Sequence, residues 1–102
     1  MPNPLTNGLQ PTHPGEVLRE IVLPAVKPNK AEIARLLGIS RQHLYDVLAA
    51  RRPITSRMAL RLSRLFGGEP ETWLRMQMAY DLRLSERDMA AELDAIPLLA
   101  AA

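Results

Sequence analysis

The stretch NKAEIARLLGISRQHLYDVL, residues 29–48, decides the fold. Asn29 is a good N-cap, and Ile33, Ala34 and Leu37 recur behind it at helical spacing, which predicts a helix ending at Leu37. Gly38 stops it, because glycine takes a positive φ without steric cost. Only Gly38 and Ile39 separate that stop from Ser40, which caps a further helix running to about Ala50. Helices joined by so short a turn cannot lie antiparallel, and such a pair crosses at about 90–120° as a helix-turn-helix. Ala34 is small where the two helices touch, Ile39 plugs the turn, and Leu44 and Val47 pack the second helix inward. A plain helical hairpin in a bundle would share these features, so the outward face has to decide between the two.

At about 100° per residue, Leu44, Val47 and Leu48 lie on one side of that second helix. Gln42, Tyr45, Asp46 and Ala49 lie on the other, with Arg41 at the tip. An ordinary solvated helix carries a Glu and Lys mixture; this face is Arg, Gln, Tyr and a small residue. Arginine reads guanine O6 and N7 with two hydrogen bonds, glutamine reads adenine N6 and N7, and a helix N-terminus offers free amides to phosphate. Arg41 and Gln42 are therefore the leading base-reading candidates, with Ser40 and Tyr45 behind them. His43 projects between the two faces, as a surface or phosphate-side residue.

Charge supports the DNA reading. The formal net charge is only +2, yet nine basic residues face just Glu32 and Asp46 between Lys27 and Phe66. Such clustering neutralises phosphates and releases counterions. Lys30, at the start of one helix, and Arg51 and Arg52, just past the other, are placed to grip backbone on either side of a groove. Arg57, Arg61 and Arg64 form one stripe on the following helix, and Arg57 stands in its first turn, where the helix dipole disfavours a cation unless an external anion joins it.

Outward from this centre the pattern stays helical. Toward the N-terminus, Thr12 or His13 can cap a helix with Pro14 at its first position and with Val17, Leu18, Ile21 and Val22 at inward spacing. Residues 1–13, rich in Pro, Asn and Gly, are predicted as an extended arm. Toward the C-terminus, Thr55 or Ser56 starts a helix through Phe66, with Met58, Ala59, Leu62, Leu65 and Phe66 as its apolar side. A fifth helix begins near Pro70 and runs to Leu84, and Ser85 with Asp88 resembles a capping pair for a short sixth. No window alternates with period two, so the fold class is all-α, with five or six helices. The domain organisation is an arm over residues 1–13, a DNA-binding and dimerisation domain over 14–84, and a short helix and tail over 85–102.

The fifth helix carries two apolar stripes. Trp73, Met76, Tyr80 and Leu84 form one, and Leu74, Met78 and Leu82 the other, with Gln77 and Asp81 on a flank between them. A chain this small can cover one of the two, which predicts a homodimer seam at Trp73, Leu74, Met78 and Leu82. Two-fold symmetry also suits DNA, since paired recognition helices read half-sites about 34 Å apart.

Composition excludes other classes. At 102 residues and 47% apolar the chain makes one globular domain. With no cysteine, disulfides, thiolate metal sites and a Cys nucleophile are absent, as suits a cytoplasmic protein. No apolar stretch is long enough for a membrane span, and Met1 to Pro14 carries no lysine or arginine for a secretory signal. His13 and Glu16 lie at i, i+3, but a third metal ligand is missing, and neither a phosphate loop nor a Ser-His-Asp set is visible. The prediction is a non-enzyme with no catalytic residues, metal or small-molecule cofactor.

The run Thr12-His13-Pro14-Gly15-Glu16-Val17-Leu18, the segment Asn29–Leu48, the stretch Ile54-Thr55 to Leu62, and Phe66-Gly67 through Trp73-Leu74 to Ala79-Tyr80-Asp81-Leu82 together resemble the HigA-type antitoxins of the Xre group of lambda-repressor-like regulators. The resemblance covers about Pro11 to Leu82. It implies a dimer that binds a palindromic operator ahead of its own toxin and antitoxin genes and neutralises a HigB-type, mRNA-cleaving toxin. A ribonuclease presents a basic surface to its substrate, so acidic residues outside the DNA segment are the candidate toxin contacts. Glu16 and Glu20 on the first helix are preferred over Glu86, Asp88, Glu92 and Asp94 near the end. A free-standing Xre regulator without a toxin, and a helical protein-binding module that leaves DNA alone, remain open alternatives.

Overall fold

The computed structural model describes residues 11–100, so nearly all of the extended arm lies outside the described residues. Among those described, every regular element is helical. Helix α1 (Pro14–Val17) continues through a π turn, Leu18–Val22, and a 3₁₀ turn, Leu23–Ala25. Helices α2 (Lys30–Leu37), α3 (Arg41–Leu48), α4 (Ser56–Phe66), α5 (Pro70–Asp88) and α6 (Ala90–Asp94) follow.

Local chemistry sets the helix starts. The ring of His13 caps α1, its Nδ1 accepting the Gly15 N–H at 2.9 Å. Asn29 Oδ1 accepts the Glu32 N–H at 2.9 Å, Ser40 Oγ the His43 N–H at 3.0 Å, and Thr55 Oγ1 the Met58 N–H at 3.3 Å. Gly38 has φ 74°, and the Gly38 and Ile39 N–H groups return to the Arg35 and Ala34 carbonyls, closing α2 as a left-handed cap. Ala50 takes φ 60° with no glycine to ease it, so α3 stops at Leu48, short of the expected Ala50.

The core gathers Leu18 from the first helix, Ile33, Ala34 and Leu37 from α2, and Leu44, Val47 and Leu48 from α3. Ile54, Met58, Ala59, Leu62 and Trp73 complete it. Gly15 permits the closest approach: a Cβ there would fall 1.8 Å from the Val47 carbonyl oxygen, so α1 rests directly on the backbone of α3.

Several expectations require correction. Ile21 is 66% exposed, because in the π turn the Leu23 N–H returns to the Leu18 carbonyl and the widened turn rotates Ile21 off the core face. The helix α5 runs unbroken through Ser85 to Asp88; with no breaker between them, Ser85 stays helical and caps nothing, and α6 begins only at Ala90. Gln77, expected on a flank, is buried. Its Oε1 accepts the Ile54 N–H at 2.8 Å and its Nε2 donates to Asp81 at 3.0 Å, so the side chain serves a backbone amide in the α3–α4 connection that no helix could satisfy. Trp73, expected at a dimer seam, is 8% exposed and belongs to the core of its own chain.

Candidate nucleic-acid interface

The α2–α3 pair is held from both sides by arginines. Arg61 Nη1 donates to the Leu37 carbonyl at 2.7 Å, and Arg19 Nη1 to the Leu48 carbonyl at 3.1 Å. These carbonyls are orphaned by the ends of α2 and α3, and a cation suits the negative end of a helix. Arg61, predicted as a phosphate residue, thus also locks the turn, and its remaining donors stay available. Arg19 was not among the predicted residues. Its partner lies 29 residues away, and no spacing rule connects them.

On this braced frame, Arg41, Gln42 and Tyr45 stand exposed along α3, and Ser40 lies at its tip with the hydroxyl engaged as the cap. Gln42 Nε2 donates to Asp46 Oδ1 at 2.8 Å, and Arg51 Nη2 lies 3.5 Å from the same oxygen. Asp46 therefore orients both a predicted base reader and a predicted phosphate residue. Lys30 Nζ sits 5.9 Å from the centre of the Tyr45 ring, within cation–π range, which couples the start of α2 to the middle of α3.

Cations gather beside α3 on both flanks. One is a shallow basin of about 420 Å³ that includes Arg19, Lys30, Gln42, Tyr45 and Arg51. The other is a recess of about 310 Å³ between α3 and α4, lined by His43, Arg52, Thr55, Arg57 and Arg61 among others. Burial lowers the pKa of His43, the charges of Arg52 and Arg61 lower it further, and Asp46 partly opposes them. The predicted phosphate residues are thus divided, Lys30 and Arg51 on one flank, Arg52, Arg57 and Arg61 on the other.

The remaining candidates lie elsewhere. Leu74 is half-buried, while Met78 and Leu82 are 57% and 54% exposed on α5. Glu20 is bound by Arg19 at 2.9 Å, which ties one predicted toxin contact to the residue that braces α3; Glu16 is half-buried on α1. His13 is 3% exposed, with the Tyr80 ring edge-on at 4.9 Å. Burial lowers its pKa, opposed by Asp81 and Glu16.

Known proteins share this arrangement. The Helix-turn-helix family matches residues 29–74. Virulence-associated protein I of Dichelobacter nodosus is 39% identical over 92 residues, spanning 90% of this chain and 85% of that protein. The antitoxin GraA in complex with its operator superposes with a TM-score of 0.83 at 38% identity, covering 93% of this chain and 97% of that one. Pseudomonas aeruginosa antitoxin HigA with the higBA promoter gives 0.83 at 30% identity, over 89% and 100% of the two chains. The chain belongs to the Xre-like helix-turn-helix family of DNA-binding regulators and has the fold of the HigA-family antitoxins.

Proposed function

We propose that the protein is a sequence-specific repressor and antitoxin that binds a palindromic operator as a dimer in the cytoplasm. The observation that carries this reading is the placement of Arg41 and Gln42 at the exposed tip of a braced α3 with arginines on both flanks. A rigid helix presented this way enters the major groove, where its first residues meet base edges and the flanking cations meet the two phosphate backbones. No described helix is long and apolar enough to cross a membrane.

The operator is the intergenic duplex ahead of its own gene; antitoxins that share the fold form complexes with operator and with promoter DNA, which supports this choice. Fluorescence anisotropy with that duplex, against a random duplex of equal length, tests the reading. Equal affinity for both would remove sequence-specific repression. The exposed Met78 and Leu82 with Leu74 supply the dimer seam.

Neutralisation of a HigB-type toxin is the second half of the proposal, placed on the acidic face of the first helix around Glu16 and Glu20. Reversing both to Lys should weaken binding to the product of the adjacent reading frame in calorimetry and leave operator binding intact. Retained wild-type affinity would move the contact to Glu86, Asp88, Glu92 and Asp94. An adjacent frame whose product does not bind would leave a free-standing regulator.

A further inference from the structure

We infer that His43 is a DNA-backbone residue: with Arg52, Arg57 and Arg61 it encloses one phosphate of the bound duplex between α3 and α4, and takes up a proton as that phosphate seats. The inference rests on the DNA-binding reading and adds a residue and a proton to it. The recess is a place where, among the described residues, cations converge without a paired carboxylate. Among the described residues, Arg52, Arg57 and Arg61 have no carboxylate within ion-pair distance, whereas Arg19, Arg35 and Arg51 do. Arg57 stands in the first turn of α4, against the helix dipole, a placement that an anion at the same spot would stabilise.

The space of about 310 Å³ is large enough for a phosphate group. Thr55 at its rim accepts the Met58 amide with its hydroxyl oxygen, which leaves the O–H as a donor beside the cations. The carboxylate that faces His43, Asp46, is held by Gln42 and Arg51.

In the free protein the pKa of the imidazole is held below its ordinary value, because burial costs the charged ring hydration and Arg52 and Arg61 repel a further charge, so the neutral form is favoured. A phosphate reverses the balance by neutralising the arginines and supplying an anion to the ring. The proton comes from solvent and leaves when the DNA does. Affinity therefore increases as pH falls through the range in which free His43 is neutral and bound His43 is charged.

The test is anisotropy titration of wild type and His43→Gln with the upstream duplex and with a random duplex, at low salt and fixed ionic strength, from about pH 8 to pH 6. Circular dichroism at each pH establishes that both proteins are folded. Wild-type affinity should rise with falling pH on both duplexes, approaching at its steepest about tenfold per pH unit for each recess. The salt slope should steepen by about one unit over the same range. His43→Gln should flatten the pH dependence and retain the preference for the upstream duplex. An equal pH dependence in both proteins overturns the inference, and so does one confined to the upstream duplex, which would make His43 a base reader. Absence of binding to either duplex at every pH overturns the DNA-binding reading as well.

Discussion

At the scale of single residues, the smallest side chains carry the firmest constraints. Gly15 has no room for a methyl group, because the nearest atom is the Val47 carbonyl oxygen in the backbone of α3 and cannot swing aside. Gly15→Ala should destabilise the fold by about 1–3 kcal/mol or more, as overpacking against a rigid neighbour does, read as a lower urea midpoint with an unchanged slope. An unaltered midpoint would mean that α1 floats free of α3. Arg41 and Gln42 are constrained by chemistry instead of space. If they make bidentate base contacts, alanine at either should cost about 1–3 kcal/mol on the operator and leave random DNA nearly unaffected. Arg57→Ala should weaken both duplexes and reduce the salt slope by about one. Equal losses on both duplexes for Arg41 would reassign it to the backbone.

At the scale of elements, the helix starts and the braces between helices determine how well α3 is held. The His13 cap functions only with neutral imidazole, since its Nδ1 is the acceptor. Its folded pKa is lowered by burial, so below the unfolded value of about 6.5 the unfolded chain binds a proton that the folded chain resists. Stability from this group is thus fully present above pH ~7 and falls as pH drops through ~6.5 toward the folded pKa. Thermal melts between pH ~7.5 and ~5.5 should show this loss, and His13→Asn, which keeps an acceptor but does not titrate, should reduce it, the remainder belonging to His43. An identical pH profile in the variant would show that His13 titrates as it does in the unfolded chain. Gln77 acts on the α3–α4 connection from outside it, since without its carbonyl the buried Ile54 N–H would lose its partner at a cost of about 1–3 kcal/mol.

At the scale of the whole molecule, the described helical body and the segment that follows it differ in what they leave uncovered. The body around α1–α4 closes over its core, while every described residue after Arg83 is exposed. Large apolar side chains such as Met89, Leu93 and Ile96 are exposed there, as Met78 and Leu82 are on α5. If α5 is the dimer seam, Met78→Glu with Leu82→Glu places charges in an apolar contact and should give a folded monomer, because neither residue belongs to the core. Analytical ultracentrifugation at micromolar concentration checks this, and a wild-type monomer there would end the proposal. Operator affinity should fall together with dimerisation, as linked half-site contacts become separate weak ones.

The sequence alone determined what depends on near neighbours: the caps at Asn29 and Ser40, the left-handed stop at Gly38, the inward stripes of α2, α3 and α4, and the outward face of Arg41, Gln42 and Tyr45. Each follows from helical periodicity or from a bond spanning a few residues, so it is written locally. Only the tertiary structure decided the rest. Arg19 and Gln77 act on backbone groups 29 and 23 residues away, Trp73 is claimed by the core, and the π turn carries Ile21 outward. Arg52, Arg57 and Arg61 converge on His43 only because α4 packs back across the turn. Such contacts depend on which helix faces meet, and helical periodicity says which face is apolar without naming the face that will cover it.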